Sequence, residues 1–259
     1  MFPTVFVSHG SPAMVLSDVA ARDFLAGLGR AIGRPSAILV VSAHWETRAP
    51  TVGTALRPQT IHDFHGFPAP LYQLRYPAPG APDLAHEVTG LLRAAGFEAA
   101  EDAARGLDHG AWAPLLLMYP EADIPVVPLS LQGGLGPAHH VDIGRALAPL
   151  RDRDVLVLGS GSFTHDLSRF RSGRDIDATA HPDTEAFAGW MDKALQEGRR
   201  ADLLAYRRLA PFAVENHPTE EHLLPLFVAL GAAGPEARGE HLHGSTTYGF
   251  LRMDTYAFR

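Results

Sequence analysis

Thr4-Val5-Phe6-Val7-Ser8-His9-Gly10-Ser11-Pro12 and Ala37-Ile38-Leu39-Val40-Val41-Ser42-Ala43-His44-Trp45 decide the fold. Each is an apolar run of strand length that delivers a histidine among small or aromatic residues. Between them Val19, Phe24, Leu25, Leu28 and Ile32 recur at roughly helical spacing, which predicts a helix over 17–31 with Asp18 as its N-cap. A strand–helix–strand order predicts parallel neighbours joined by a right-handed crossover. Parallel strands bring their carboxyl ends to one edge, where ligands of open α/β sheets collect. Two histidines delivered to that edge make a metal site the first hypothesis, because neutral imidazole is the commonest protein metal ligand.

Working outward, residues 50–81 are rich in proline and glycine and carry Thr60-Ile61-His62-Asp63-Phe64-His65-Gly66-Phe67-Pro68. A long irregular segment inside a compact domain is usually functional. A helix is expected near 82–95, closed by Gly96, then a short strand over Phe97–Ala100 and a helix over Ala111–Met118. Strands are expected over Ile124–Leu131 and Val155–Leu158, with helices near 139–150, 182–196 and 220–230. The tail from Ser245 to Phe258 alternates as an edge strand would. No repeat or linker interrupts the chain, so residues 1–259 are expected to form a single catalytic domain. Its fold class is α/β, with a mostly parallel central sheet flanked by helices and the site at the carboxyl ends of the strands.

Composition excludes several classes of function. The 259 residues are 46% hydrophobic and 20% charged, ordinary for a globular chain, and the net charge of −7 argues against a nucleic-acid surface. The absence of cysteine removes disulfides, zinc ribbons, iron–sulfur clusters and thiol nucleophiles, leaving His, Asp and Glu to hold any metal. No signal peptide and no apolar stretch of membrane-spanning length is visible, so a cytoplasmic protein with no membrane partner is expected. Arg199-Arg200 with Arg207-Arg208 is the densest basic cluster and reads as a solvated helix face.

Fourteen histidines are many for this length. His86 and the pair His139-His140 read as surface residues, and His241 and His243 as loop residues. His165 follows the run Val155–Leu158 through Gly159-Ser160-Gly161-Ser162-Phe163-Thr164, so it shares the grammar of His9 and His44 and is expected to share their site. In Asn216-His217-Pro218-Thr219-Glu220-Glu221-His222, Thr219 is a candidate N-cap and His222 falls in the first helical turn. The positive end of the helix dipole favours neutral, metal-binding imidazole there. His217 is the alternative ligand. Spacing alone assigns no role to His109, beside Asp108, or to His62, beside Asp63, because adjacent residues do not point the same way. The chain has no His-Glu-x-x-His and no phosphate-binding glycine loop. Gly159-Ser160-Gly161-Ser162-Phe163 departs from a nucleophile elbow at its third and fifth positions, and Gly133-Gly134-Leu135-Gly136 is too short for a dinucleotide fingerprint.

Taken together, Ser8-His9-Gly10-Ser11-Pro12, Ser42-Ala43-His44-Trp45, Thr60-Ile61-His62-Asp63-Phe64, Gly106-Leu107-Asp108-His109-Gly110-Ala111-Trp112, Gly159-Ser160-Gly161 through His165, and Glu221-His222-Leu223-Leu224-Pro225-Leu226 resemble the LigB-type (class III) extradiol ring-cleaving dioxygenases, in particular their DOPA dioxygenase branch. The resemblance runs in order from residue 5 to the Tyr248–Phe258 tail. It implies that His9 and His44 hold a non-haem divalent metal, with the third ligand on the late segment. That ligand is a glutamate in the protocatechuate branch and is implied to be His222 here. The family implies Fe(II) for activity, although three histidines suit Zn(II) equally. It further implies His165 as the acid/base and His109 as a second active-site histidine. His62 is expected to contact a catechol-type substrate that reacts with O2. His65 stands where the family often has tyrosine. A zinc hydrolase or a non-catalytic metal-binding module on the same scaffold is the alternative. Arg75 is a candidate carboxylate contact that reads more simply as a surface residue.

Overall fold

A computed structural model describes residues 2–170 and 175–259. The strands are β1 (Thr4–Ser8), β2 (Ala37–Glu46), β3 (Thr51–Gly53), β4 (Ala100–Asp102), β5 (Val126–Leu131), β6 (Val155–Gly161), β7 (Gly239–His243), β8 (Thr246–Thr247), β9 (Leu251–Arg252) and β10 (Thr255–Phe258). The helices are α1 (Ala20–Ile32), α2 (Pro82–Ala94), α3 (His109–Met118), α4 (Gly136–Leu147), α5 (Pro182–Gln196), α6 (Arg200–Leu204), α7 (Tyr206–Leu209), α8 (Ala213–Asn216) and α9 (Leu224–Ala233). Eight strands form one sheet in the order β4-β3-β5-β2-β6-β1-β10-β7, and β8 and β9 make a separate small hairpin.

The centre of the sheet is parallel. β5 pairs with β2, β2 with β6 and β6 with β1, all in the same direction, while β3 and β10 run antiparallel to their inner neighbours. Every residue of β1, β5 and β6 is buried, as a sheet covered on both faces requires. The period-two alternation then divides each strand between two cores. Phe6, Leu39 and Val41 pack with α2, α4, α5 and α9 on one face, and Val5, Val7, Ile38, Val40, Leu156 and Leu158 with α1 and α3 on the other. The result is a single α/β domain of three layers, as the sequence implies.

Several boundaries differ from the sequence reading. α1 starts after a 3-10 turn at Pro12–Leu16, and its N-cap is Val19 without a side-chain cap; Asp18 instead lies 3.4 Å from Arg22. The short strand after α2 is Ala100–Asp102 rather than Phe97–Ala100, because Ala100 N–H pairs with the Pro50 carbonyl and carries the chain alongside β3. β10 is not an edge strand, since β7 covers its outer side. His241 and His243 therefore belong to a strand and not a loop. His140 is not a surface residue either. It is fully buried, its Nδ1–H donating to the Gly136 carbonyl at 2.7 Å and its Nε2 accepting from Gln132 N–H at 3.2 Å. Arg200 is half-buried as well, donating to the Leu230 and Gly234 carbonyls, so the basic cluster is not all solvated face.

Candidate active site

The parallel centre of the sheet delivers three of the expected residues to one edge. His9 follows the last residue of β1 and donates its backbone N–H to the Gly161 carbonyl at the end of β6. His44 lies near the end of β2, and His165 follows β6 by four residues. His222 arrives from the other side, in the turn before α9. The expected helical first turn is absent there, because α9 begins at Leu224 with Pro225 in its opening positions, and Thr219 bonds Glu221 instead of capping. Two glycines make room for this approach: a Cβ on Gly161 would overlap the His222 carbonyl oxygen, and one on Gly159 the Pro225 carbonyl oxygen. Gly110, near the start of α3, is similarly crowded by Ser42, His44 and His9.

Ring nitrogens of His9, His44 and His222 lie within 4.8 Å of one another. Nε2 of His44 is 3.0 Å from Nε2 of His9 and 3.3 Å from Nε2 of His222. The outer nitrogens set the tautomers. Ser160 gives its hydroxyl proton to the Gly110 carbonyl, so it accepts from Nδ1–H of His9 at 3.0 Å. The Glu221 carboxylate accepts from Nδ1–H of His222 at 2.9 Å. Nδ1 of His44 faces Asp63 Oδ2 at 3.5 Å. With the protons of His9 and His222 held on Nδ1, their Nε2 lone pairs converge on Nε2 of His44, an arrangement that suits a cation. Burial, reinforced by the neighbouring histidines, lowers His9 and His222 well below the ordinary imidazole pKa, and burial followed by His109 lowers His44 to about 3. All three are therefore neutral at pH 7, the form in which imidazole binds metal. The residues present fit a divalent metal.

His109 and His165 flank this trio. The His109 ring centroid is 4.0 Å from that of His44, and its Nδ1–H donates to Asp63 at 2.9 Å, while the other Asp63 oxygen accepts His109 N–H at 2.8 Å. Burial works against the Asp63 carboxylate, but the hydrogen bonds and charge of His109 hold its pKa at about 2. His165 stacks on His222 with centroids 3.4 Å apart and planes 10° from parallel, and burial lowers it to about 4. A cavity of about 370 Å³ opens over all five histidines, walled by Phe64, Phe67, Leu167, Phe170, Tyr248 and Leu251.

Other expectations fall elsewhere. His62 is not among the residues lining the cavity; its Nε2–H donates to the Leu74 carbonyl at 3.1 Å and its ring packs on Phe64, Tyr72 and Trp112. Phe64 and Phe67 of the same loop face the cavity in its place. His217, the alternative ligand, is buried with Nε2 on the Phe163 carbonyl at 2.9 Å, outside the trio. His65 is exposed, and Arg75 is engaged with the Tyr72 and Leu74 carbonyls. Sequence reasoning missed Asp63, Ser160 and Glu221 as orienting groups. Asp63 serves not its neighbour His62 but His109, 46 residues on. Asp108 serves not His109 but Ser42 and Arg105, while capping α3. Glu221 does serve its sequence neighbour, since the two stand in a turn rather than on a helix.

Residues 3–253 match the profile of the LigB family, described as the catalytic LigB subunit of aromatic ring-opening dioxygenase. The chain belongs to this family. It is 46% identical to a protein of Beta vulgaris named 4,5-DOPA dioxygenase extradiol, over 98% of this chain and 96% of the other. A protein of Escherichia coli K12 with the same name is 40% identical over 89% of this chain and 84% of its own. The solved structure of an uncharacterized Escherichia coli K12 protein superposes with a TM-score of 0.81 and 31% identity, covering 99% of both chains.

Proposed function

We propose that this chain is an extradiol dioxygenase that opens the ring of a catechol with O2 to give a muconic semialdehyde. The observation that carries the reading is the convergence of three imidazole Nε2 atoms under a cavity that also holds two further histidines. His9, His44 and His222 would hold the metal. Bound there, Fe(II) would supply a Lewis-acidic centre for the catechol and O2 and an electron path between them. His165 takes a phenolic proton from the substrate: it is neutral at pH 7, its ring nitrogens make no hydrogen bond among the described residues, and it faces the cavity. His109, its Nδ1–H fixed on Asp63, would in its protonated form offer Nε2–H to negative charge developing on the ring. The aromatic walls exclude water and clamp the substrate ring. No helix among the described residues is long and apolar enough to cross a membrane.

Anaerobic reconstitution with Fe(II), followed by oxygen uptake and visible absorbance across a panel of catechols, tests the reading. Stoichiometric O2 consumption with a new yellow absorbance is expected. Turnover without O2 that persists when Zn(II) replaces Fe(II) would instead establish the hydrolase alternative. In His9→Ala or His44→Ala, bound metal is expected to fall sharply, and unchanged metal content would remove both as ligands.

A further inference from the structure

We propose that Asp108 is a positioning residue of the metal centre: through Ser42 it holds the bulge in β2 from which His44 reaches His9 and His222. This rests on the ligand assignment above. The bulge is legible in the strand register. β2 pairs with β6 as far as Ser42, which stands opposite Ser160. On its other side Val41 pairs with Leu129 and the next pair is Glu46 with Leu131, so residues 42–45 stand opposite Ser130 alone. His44 lies inside this stretch. A bulge takes backbone groups out of the ladder and re-aims side chains beside active sites, and the freed groups then need other partners.

Ser42 and Asp108 supply them. His44 N–H donates to Ser42 Oγ at 3.2 Å, and the Ser42 hydroxyl donates to Asp108 Oδ1 at 2.5 Å. Both side chains are buried, so water does not compete for these bonds. With its proton committed to the carboxylate, Ser42 turns a lone pair of Oγ towards the His44 amide. The same carboxylate oxygen accepts Ala111 N–H at 3.1 Å as the cap of α3, and the other pairs with Arg105. The Arg105 guanidinium also lies 4.8 Å from the ring centroid of Trp45, the residue after His44 in the bulge. A cap needs only an oxygen aimed at its helix; the bond to Ser42 is additional. Asp108 therefore ties the strand that carries His44 to the helix that begins with His109, and it acts on the imidazole through the backbone rather than by touching the ring.

The test is the Zn(II) affinity of the full chain, measured by competition with a chelator, beside the urea midpoint of the metal-free protein. Ser42→Ala removes the acceptor of His44 N–H, and Asp108→Ala removes the group that orients that acceptor. Each is expected to raise the Kd for Zn(II) about 10- to 100-fold. The double variant should bind no more than about twofold weaker than Asp108→Ala alone, since the two side chains act along one path. Thr4→Val is the control for stability alone. It deletes a buried hydroxyl bonded to the Ala229 carbonyl at the start of β1. Its urea midpoint should fall while its Kd stays within about twofold of the parent's. If Asp108→Ala does not fold, the comparison of Ser42→Ala with Thr4→Val still decides. Parental Zn(II) affinity in Ser42→Ala overturns the inference, as does an additive loss in the double variant or a matching loss of affinity in Thr4→Val. If His44→Ala itself binds Zn(II) as tightly as the parent, the ligand assignment falls, and the inference with it.

Discussion

A histidine serves a metal only when its ligating nitrogen is bare, and the partner of the opposite nitrogen decides that. Ser160 and Glu221 do this for His9 and His222, while the Asp63 carboxylate lies 3.5 Å from Nδ1 of His44. Ser160→Ala leaves Nδ1–H of His9 without its acceptor, so metal affinity measured by competitive chelation should fall about 10- to 100-fold. His165→Ala should behave differently, since that ring stacks on a proposed ligand and is proposed as the base. Turnover should be lost there while metal content stays near normal; loss of the metal would make His165 a ligand. Each such residue was visible as a residue type. Their pairing was not, because Asp63 and Asp108 each bypass an adjacent histidine for a partner elsewhere in the fold.

At the scale of elements, the site is held open by missing side chains. β6 ends Gly159-Ser160-Gly161, and the two glycines let the turn carrying His222 lie directly on the strand, where Ser162 N–H bonds the His222 carbonyl at 2.8 Å. Gly161→Ala drives a methyl group into that carbonyl. The expected result is a loss of about 1–3 kcal/mol in chemical denaturation, with a larger fractional loss of bound metal as His222 is displaced. A variant with wild-type metal affinity would show that the turn adjusts freely. The strand-end histidines were legible because an apolar run has one carboxyl end. The turn before α9 was not, because Pro225 moves the helix start past His222.

Across the whole molecule, stability depends on histidines kept neutral. His140 is buried between the Gly136 carbonyl and Gln132 N–H, and burial lowers its pKa to about 4. Protonating Nε2 would destroy its acceptor for Gln132. In the unfolded chain the same group titrates near ~6.5, so the unfolded state binds the additional proton as pH falls. The stability His140 contributes is present above pH ~6.5 and is lost as pH falls towards about 4. In His140→Gln the slope of unfolding free energy against pH over this window should be shallower, by up to ~1.4 kcal/mol per pH unit. Urea titrations at several pH values measure it, and parallel slopes would refute it. The sequence placed His140 at the surface because its helix was framed three residues late, from 139 instead of Gly136. One face of a helix differs from the next by a single residue.

By itself the sequence determined the α/β class, the delivery of His9, His44 and His165 to one edge, and the family. Strand periodicity and chain direction are local properties, and parallel strands leave their ends nowhere else to go. Only the tertiary structure decided which carboxylate holds which imidazole, that His222 rather than His217 completes the trio, and that Phe64 rather than His62 faces the cavity. Those outcomes depend on side-chain direction across contacts of tens to hundreds of residues in separation. Spacing along the chain carries no information about that direction until the backbone has been packed.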